Sequence, residues 1–484
     1  MSRYALGTLW SVALGVSTPC FAVSLGAHGL GQALVYPYYT VRTAPGTASP
    51  YNALLSVVNG AARGKAVKVR FREALAGAAV FETTVFLSLR DVWTAAVVPF
   101  GDGAGIITTD TSCTLPVVGA AVGGTPTANG TFSSTMYAND PLGASPGRVR
   151  EGFVEVLEMG TIRQGSALEL AVNHISGKPP CNLGSELTIF ADLDPPSGKL
   201  YGSLTLVNVL EGTGYEYEAT ALDQWSAVVQ YSVSGTYRPT LADASPAVSS
   251  VVAGTKLLVS TWPTGADAVN AVLAAGATQA EFMREANVNG ATDIVYAMPT
   301  KPLLVTQGVA LPPFYVPLSG NGACEPSGDR TLSREEQAYN PDQNQFELPA
   351  FAGLCWATTV QSLNASWPNP SAVMGSQAGM RHFVATTETF PVPTIYSAGI
   401  ADQVFSGTAT TPARALRPSA ATTITDLLTG SQTTSTNVTY RGLPVVGVTM
   451  MRYVNGVVPV SGIPTLSNYG AGASVHTLSD VSAQ

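Results

Sequence analysis

Gly143-Ala144-Ser145-Pro146-Gly147 has the G-x-S-x-G spacing of a nucleophile elbow, in which a tight turn presents a serine and the next backbone N–H donates to an oxyanion. Pro146 has no N–H to donate, and the flanking residues read as loop rather than strand followed by helix, so a turn is the expected reading. The four histidines, His28, His174, His382 and His476, stand far apart, and a general base would have to be assembled from distant loops. Asp192-Leu193-Asp194 with Gly198 opens like a calcium loop. Pro195-Pro196 and the missing carboxylate at the twelfth position break that pattern, leaving an acidic turn, or a looser surface Ca²⁺ site as the alternative. The acid pairs Glu155/Glu158, Glu216/Glu218 and Glu335/Glu336 supply the residue type for glycoside hydrolysis, but that chemistry needs two carboxylates facing each other across a cleft. Alternation places Glu155 on the face opposite Val154 and Val156, toward solvent, and solvated sheet faces or a helix N-terminus account for these acids. Gly101-Asp102-Gly103-Ala104-Gly105 lacks the βαβ surroundings of a dinucleotide loop and reads as a turn. The cluster Tyr36-Pro37-Tyr38-Tyr39 could stack on sugar rings; packing along a sandwich edge is the expectation. No catalytic, cofactor-binding or metal-binding residue is expected.

The elements that would position any such residue are strands. Leu54–Asn59 reads as a strand ending at a glycine turn. Lys65-Ala66-Val67-Lys68-Val69-Arg70-Phe71 follows, with Ala66, Val67, Val69 and Phe71 on one face and the basic residues on the other, the pattern of a strand with one solvated face. Further strands are expected at Val80–Leu87, Trp93–Val98, Gly152–Met159, Leu204–Val209, the alternating Tyr215–Glu218, and Val445–Val454. Short strands at this spacing mark an immunoglobulin-like sandwich. Helix is sparse: Thr278-Gln279-Ala280-Glu281 and Ser333-Arg334-Glu335-Glu336 match the capping box and predict helices of a few turns. The expected fold is therefore all-β dominated, a tandem of immunoglobulin-like β-sandwich domains with long loops and a few short helices. The expected division is a signal peptide at 1–22, a sandwich domain at 23–120, a Gly/Thr/Ser-rich loop or insertion at 121–150, a second sandwich with short helices at 151–310, and a Pro-punctuated β-rich region at 311–484. An outer-membrane β-barrel is the rival fold, opposed by 33 prolines and four mature cysteines.

The leader carries the address. Arg3, the apolar run Tyr4–Val16, the helix-breaking Thr18-Pro19 and the small residues Cys20 and Ala22 predict cleavage after Ala22. The run is too short for a membrane span. In an oxidising compartment the remaining Cys113, Cys181, Cys324 and Cys355 imply disulfides; of three connectivities, pairing nearest in sequence, Cys113–Cys181 and Cys324–Cys355, is expected. Charged residues are only 12% of 484, about half the usual share, so the surface must be covered by Thr, Ser, Asn, Gln and Gly, as in extracellular β-proteins. The formal net charge of −8, with scattered Lys and Arg, gives no footprint for nucleic acid or for an anionic membrane.

Gly31–Thr40 (GQALVYPYYT), Val67–Phe71 (VKVRF), Gly152–Gly160 (GFVEVLEMG) and Thr292–Lys301 (TDIVYAMPTK), with Arg334-Glu335-Glu336 and Asn468-Tyr469-Gly470, resemble an uncharacterised family of secreted or cell-surface proteins of Gram-negative bacteria. Ile294 stands where that family has tryptophan. The resemblance implies export and a coherent mature chain, and it carries over no catalytic residue. The expected function is that of a non-enzymatic secreted or cell-surface structural or adhesion protein. Its partners would be other envelope or extracellular-matrix components, with no nucleic acid, no cofactor and no membrane span after cleavage. An extracellular polysaccharide-binding module is the alternative, and a secreted hydrolase the third.

Overall fold

In the computed structural model the described residues are 21–119, 124–335, 351–365, 368–383, 397–405 and 414–483. The expected signal peptide lies outside them except for Phe21 and Ala22. Val23, the first residue of the expected mature chain, is fully buried and donates its N–H to Val248 O at 2.8 Å.

The chain is mostly β, with antiparallel strand ladders. The first strands are β1 (Ser24–Leu25), β2 (Ala33–Thr40), β3 (Asn52–Asn59), β4 (Lys65–Glu73), β5 (Ala79–Leu87), β6 (Val92–Phe100), β7 (Gly103–Ile107), β8 (Cys113–Leu115) and β9 (Glu151–Ile162). One sheet runs β1, Thr220–Asp223, β2, β9, β4, β5, β8. Facing it is a sheet of Thr213–Glu218, Ser203–Asn208, β3, β6 and β7. Strands on either side of 121–150 thus alternate within the same two sheets. The core between them gathers Val67, Val69 and Phe71 of β4, Leu55 and Val57 of β3, Trp93 of β6 and Tyr215. Tyr36, Tyr38 and Tyr39 lie in it, their hydroxyls donating to Ser56 O, Glu151 Oε2 and Val149 O at 2.7, 2.8 and 3.1 Å. They pack, as the sequence suggests, but their hydroxyls meet protein rather than water.

After residue 277 come a six-stranded sheet containing Ala277–Met283, Glu325–Ser333 and Ala398–Val404, and a four-stranded sheet of Thr358–Ser362, Ala291–Ala297, Val446–Val460 and Ile463–Ser474. A four-stranded sheet runs Val248–Ala253, Lys256–Thr261, Thr422–Asp426, Gln432–Ser435 in that order, and the helix Gly265–Leu273 is buried nearly throughout against it. Among the described residues none of the sheets closes into a barrel, and no helix is long and apolar enough to cross a membrane.

Thr278–Glu281 does not start a helix. It lies in the strand Ala277–Met283, where Thr278, Ala280 and Phe282 are buried at period two and pair with Ala398–Val404 and His476–Leu478. The strand alternation and two flanking partners override the local capping match. Ser333 ends a strand, Arg334 and Glu335 form a turn, and Glu336 lies outside the described residues.

Candidate functional site

Charged side chains are where the fold departs most from the sequence reading. All nine residues of β4 are buried, including Lys65, Lys68, Arg70 and Arg72, and Glu155, expected toward solvent, is fully buried. Two features account for this. Arg70 pairs across the ladder with Glu82 of β5 and Glu155 of β9, at 2.9 and 3.3 Å, while Arg72 reaches Glu155 at 2.9 Å and Lys68 reaches Glu82 at 3.7 Å. Then the segment after the first sandwich lies over that face: Lys68 Nζ donates to Ser232 O, Arg70 to Pro239 O at 2.8 Å, and Gly235 N–H to Glu82 Oε1 at 2.6 Å. Oppositely charged cross-strand partners let a charged face become an interior one. Burial pushes the Lys68 amine down to about 8, against the attraction of Glu82.

Ala66 and Val67, expected on one face, point to opposite faces as neighbours in a strand must, and the bulge opposite them places Met159 of β9 as the extra residue. Val67 joins the sandwich core; Ala66 packs with Phe86, Cys113 and Met159 in another cluster. Lys65 pairs with Glu158 at 2.6 Å, both fully buried, and Glu158 also accepts the N–H groups of Ser197 and Gly198.

The elbow residues form a turn without the strand-to-helix geometry of a nucleophile elbow. Ser145 is exposed and caps the short 3₁₀ turn Pro146–Arg150, its Oγ accepting from Gly147 N at 3.3 Å. Asp192 accepts Leu168 N–H at 3.0 Å, while Arg63 and Arg163 grip Asp194 at 2.6 and 3.2 Å and hold its carboxyl below the usual range, the Arg63 hydrogen bond foremost. Among the described residues no three His, Cys, Asp or Glu gather as metal ligands would. Gly101-Asp102 is the turn between β6 and β7, and Glu216 and Glu218 point outward from a strand whose Tyr215 and Tyr217 point in.

Both expected disulfides are present, Cys113–Cys181 and Cys324–Cys355. The first ties the loop after the helix Ala167–Val172 to β8, and there the fold builds what the dispersed histidines hid. His174 Nδ1 lies 3.2 Å from Ser88 Oγ and 3.7 Å from Asp91 Oδ2, and Nε2 lies 3.5 Å from Thr111 Oγ1. A serine–histidine–acid relay needs the hydroxyl on one ring nitrogen and the carboxylate on the other. Here Ser88 and Asp91 crowd the same nitrogen, Ser88 is buried, and Asp91 is occupied with the N–H groups of Ser88 and Val92. Thr111 faces the free nitrogen only at the limit of hydrogen bonding and also donates to Gly177 O. The cluster clamps three loops beside the disulfide.

Of the cavities among the described residues, two are lined by a pair of carboxylates. One, about 510 Å³, includes Glu82 and Glu186 in its lining, but Glu82 is engaged by Arg70 and Gly235. The other, about 690 Å³, lies on the outer face of β3, Leu200–Ser203 and Thr213–Glu218 and is lined by His28, Ser56, Tyr201, Ser203, Glu216 and Glu218. Glu216, Glu218 and the Tyr201 ring are exposed, and neither acid joins an ion pair among the described residues, while Tyr217 in the same wall is buried. Sequence reasoning placed Glu216 and Glu218 on a solvated sheet face but had no signal that Tyr201 and His28 would join them.

No protein-family model matches the chain, and neither the curated proteins nor the solved structures contain a match to it.

Proposed function

We propose that this chain is a non-enzymatic protein of the Gram-negative cell surface or its surroundings, acting in structure or adhesion. One observation carries the reading: the acid–base side chains that the fold brings together, around Arg70 and around His174, are spent on holding strands and loops. Two disulfides and a polar, charge-poor composition fit an oxidising, extracytoplasmic location, and the resemblance of the Gly31–Thr40 and Gly152–Gly160 segments to secreted proteins points the same way. The partners of such a protein are other envelope or matrix components. The test is export and attachment. Expressed in a Gram-negative host, the protein should be recovered outside the cytoplasm beginning at Val23, and should bind isolated cell envelopes equally well as wild type and as His174→Ala. An intact N-terminus confined to the cytoplasm, or attachment lost on His174→Ala with the fold intact, would count against it. The outward groove favours a second reading, a ligand-binding module of the same surface protein.

A further inference from the structure

Tyr201 is 43% exposed, and its ring edge lies against Gly60, where an added Cβ would come within 3.4 Å of the ring and 3.2 Å of Lys199 O. A Cβ at 60 would only touch the ring, so Tyr201 stands with one edge beside the Gly60 backbone and much of the rest exposed. Beside it, Ser56 and Ser203 bring their hydroxyls within 3.3 Å of each other across adjacent strands. Glu216 and Glu218 stand two residues apart on one face, roughly 7 Å along the strand. His28 joins them from the 3₁₀ turn Ala27–Gly29, at a backbone φ of 58°.

We propose that this groove binds a neutral, polyhydroxylated chain, a glycan segment, with Tyr201 as stacking platform and Glu216, Glu218 and His28 as hydrogen-bonding groups; the assignment rests on the reading of the protein as a surface-binding one. The lining includes no Lys or Arg and two carboxylates on an already acidic chain, which repels phosphate and acidic polysaccharide. Carboxylates accept hydrogen bonds from paired hydroxyls, an aromatic face covers the C–H face of a pyranose, and the Ser203 hydroxyl serves as donor or acceptor, the Ser56 hydroxyl being held by Ser203 O and the Ser203 N–H. A compact organic cation would use the acids and the ring but leave the serine floor and the length of the groove across three strands unused. The volume falls within the roughly 300–1,000 Å³ of small-molecule sites.

Titration calorimetry of the mature protein tests this with three neutral hexasaccharides, the β-1,4-glucan, the α-1,4-glucan and the β-1,4-linked N-acetylglucosamine oligomer, alongside an oligogalacturonate and choline. At least one neutral hexasaccharide should bind, Tyr201→Ala should weaken it about tenfold or more, and Glu218→Gln should weaken it severalfold, with unchanged thermal midpoints. Binding of choline or oligogalacturonate alone, no binding of any hexasaccharide, or full binding by Tyr201→Ala overturns the proposal. Cleavage of a bound hexasaccharide would support the groove while overturning the non-enzymatic reading, so the two fail separately.

Discussion

The β4–β5–β9 face and the sheets after residue 277 differ in how far they pair the charge they bury. In the first, Lys68, Arg70 and Arg72 share Glu82 and Glu155, and backbone groups from 232–239 complete the set. In the second, among the described residues Lys301 Nζ donates to the carbonyls of Ala323, Leu354 and Trp356 at 2.7, 2.8 and 3.4 Å, which flank the Cys324–Cys355 bridge. Nearby Glu325 is taken by Arg414. Asp329 is fully buried with one oxygen accepting from Gln361 at 3.2 Å and the other unpartnered among the described residues. Burial pushes the Lys301 amine down to about 7 and the Asp329 carboxyl up to about 7. A buried charge with an opposite partner is compensated in place, whereas burial alone pushes an unpaired one toward its neutral form.

The largest effect should come from breaking the paired set. Arg70→Met removes the one cation that bridges Glu82 and Glu155, leaving Glu82 to Lys68 and Glu155 to Arg72, and should cost about 3–5 kcal/mol, measured by urea unfolding. A cost under about 1 kcal/mol would show that the face is wetter than its burial indicates. Cys113→Ser with Cys181→Ser, which opens a loop spanning 68 residues, should cost about 4 kcal/mol in the chain-entropy picture. Cys324→Ser with Cys355→Ser should act independently of it.

The lone groups should reveal themselves through pH. For Asp329 the folded pKa lies above the unfolded value near 3.8, so the folded state holds the extra proton between about pH 4 and 7. Wild-type stability relative to Asp329→Asn should therefore fall as pH rises through that window and level off above it. For Lys301 the folded pKa lies below the unfolded 10.5, so the unfolded state holds the extra proton between about pH 7 and 10.5. Wild-type stability relative to Lys301→Met should therefore rise across that range. Thermal midpoints of the three proteins from pH 4 to 10 check both slopes, and parallel curves would remove the contrast between the two regions. At the small end, Ser145→Ala at an exposed turn should change stability by less than about 0.5 kcal/mol.

Much of this architecture is legible in the residues. Alternation in Tyr215–Glu218 and Lys65–Phe71 marks strands that form, and pairing the cysteines nearest in sequence predicts both bridges. Where helices are concerned the local signal misleads in one place and is overlooked in others. Thr278–Glu281 carries a cap but a strand's apolar period, whereas Ser166, Ser185 and Thr264 do cap helices, their oxygens accepting from Glu169, Thr188 and Asp267. The buried lattice is invisible for a different reason: Lys-x-Arg alternation looks the same whether water or residues 232–239 cover it, and only tertiary packing decides. Likewise His174, Ser88 and Asp91 are neighbours solely because the Cys113–Cys181 bridge and two turns bring their loops together, and Tyr201 meets Glu218 only across strand pairing.

On the proposed function, the cluster of His174, Ser88, Asp91 and Thr111 is a clamp and not a catalyst. A fluorophosphonate probe, followed by peptide mass spectrometry on wild type and His174→Ala, addresses it directly. The fold predicts no labelling at Ser88, Thr111 or Ser145 in either protein, and a lowered thermal midpoint in the variant because three loops lose their shared anchor. Labelling of Ser88 or Thr111 that disappears in His174→Ala would contradict the account.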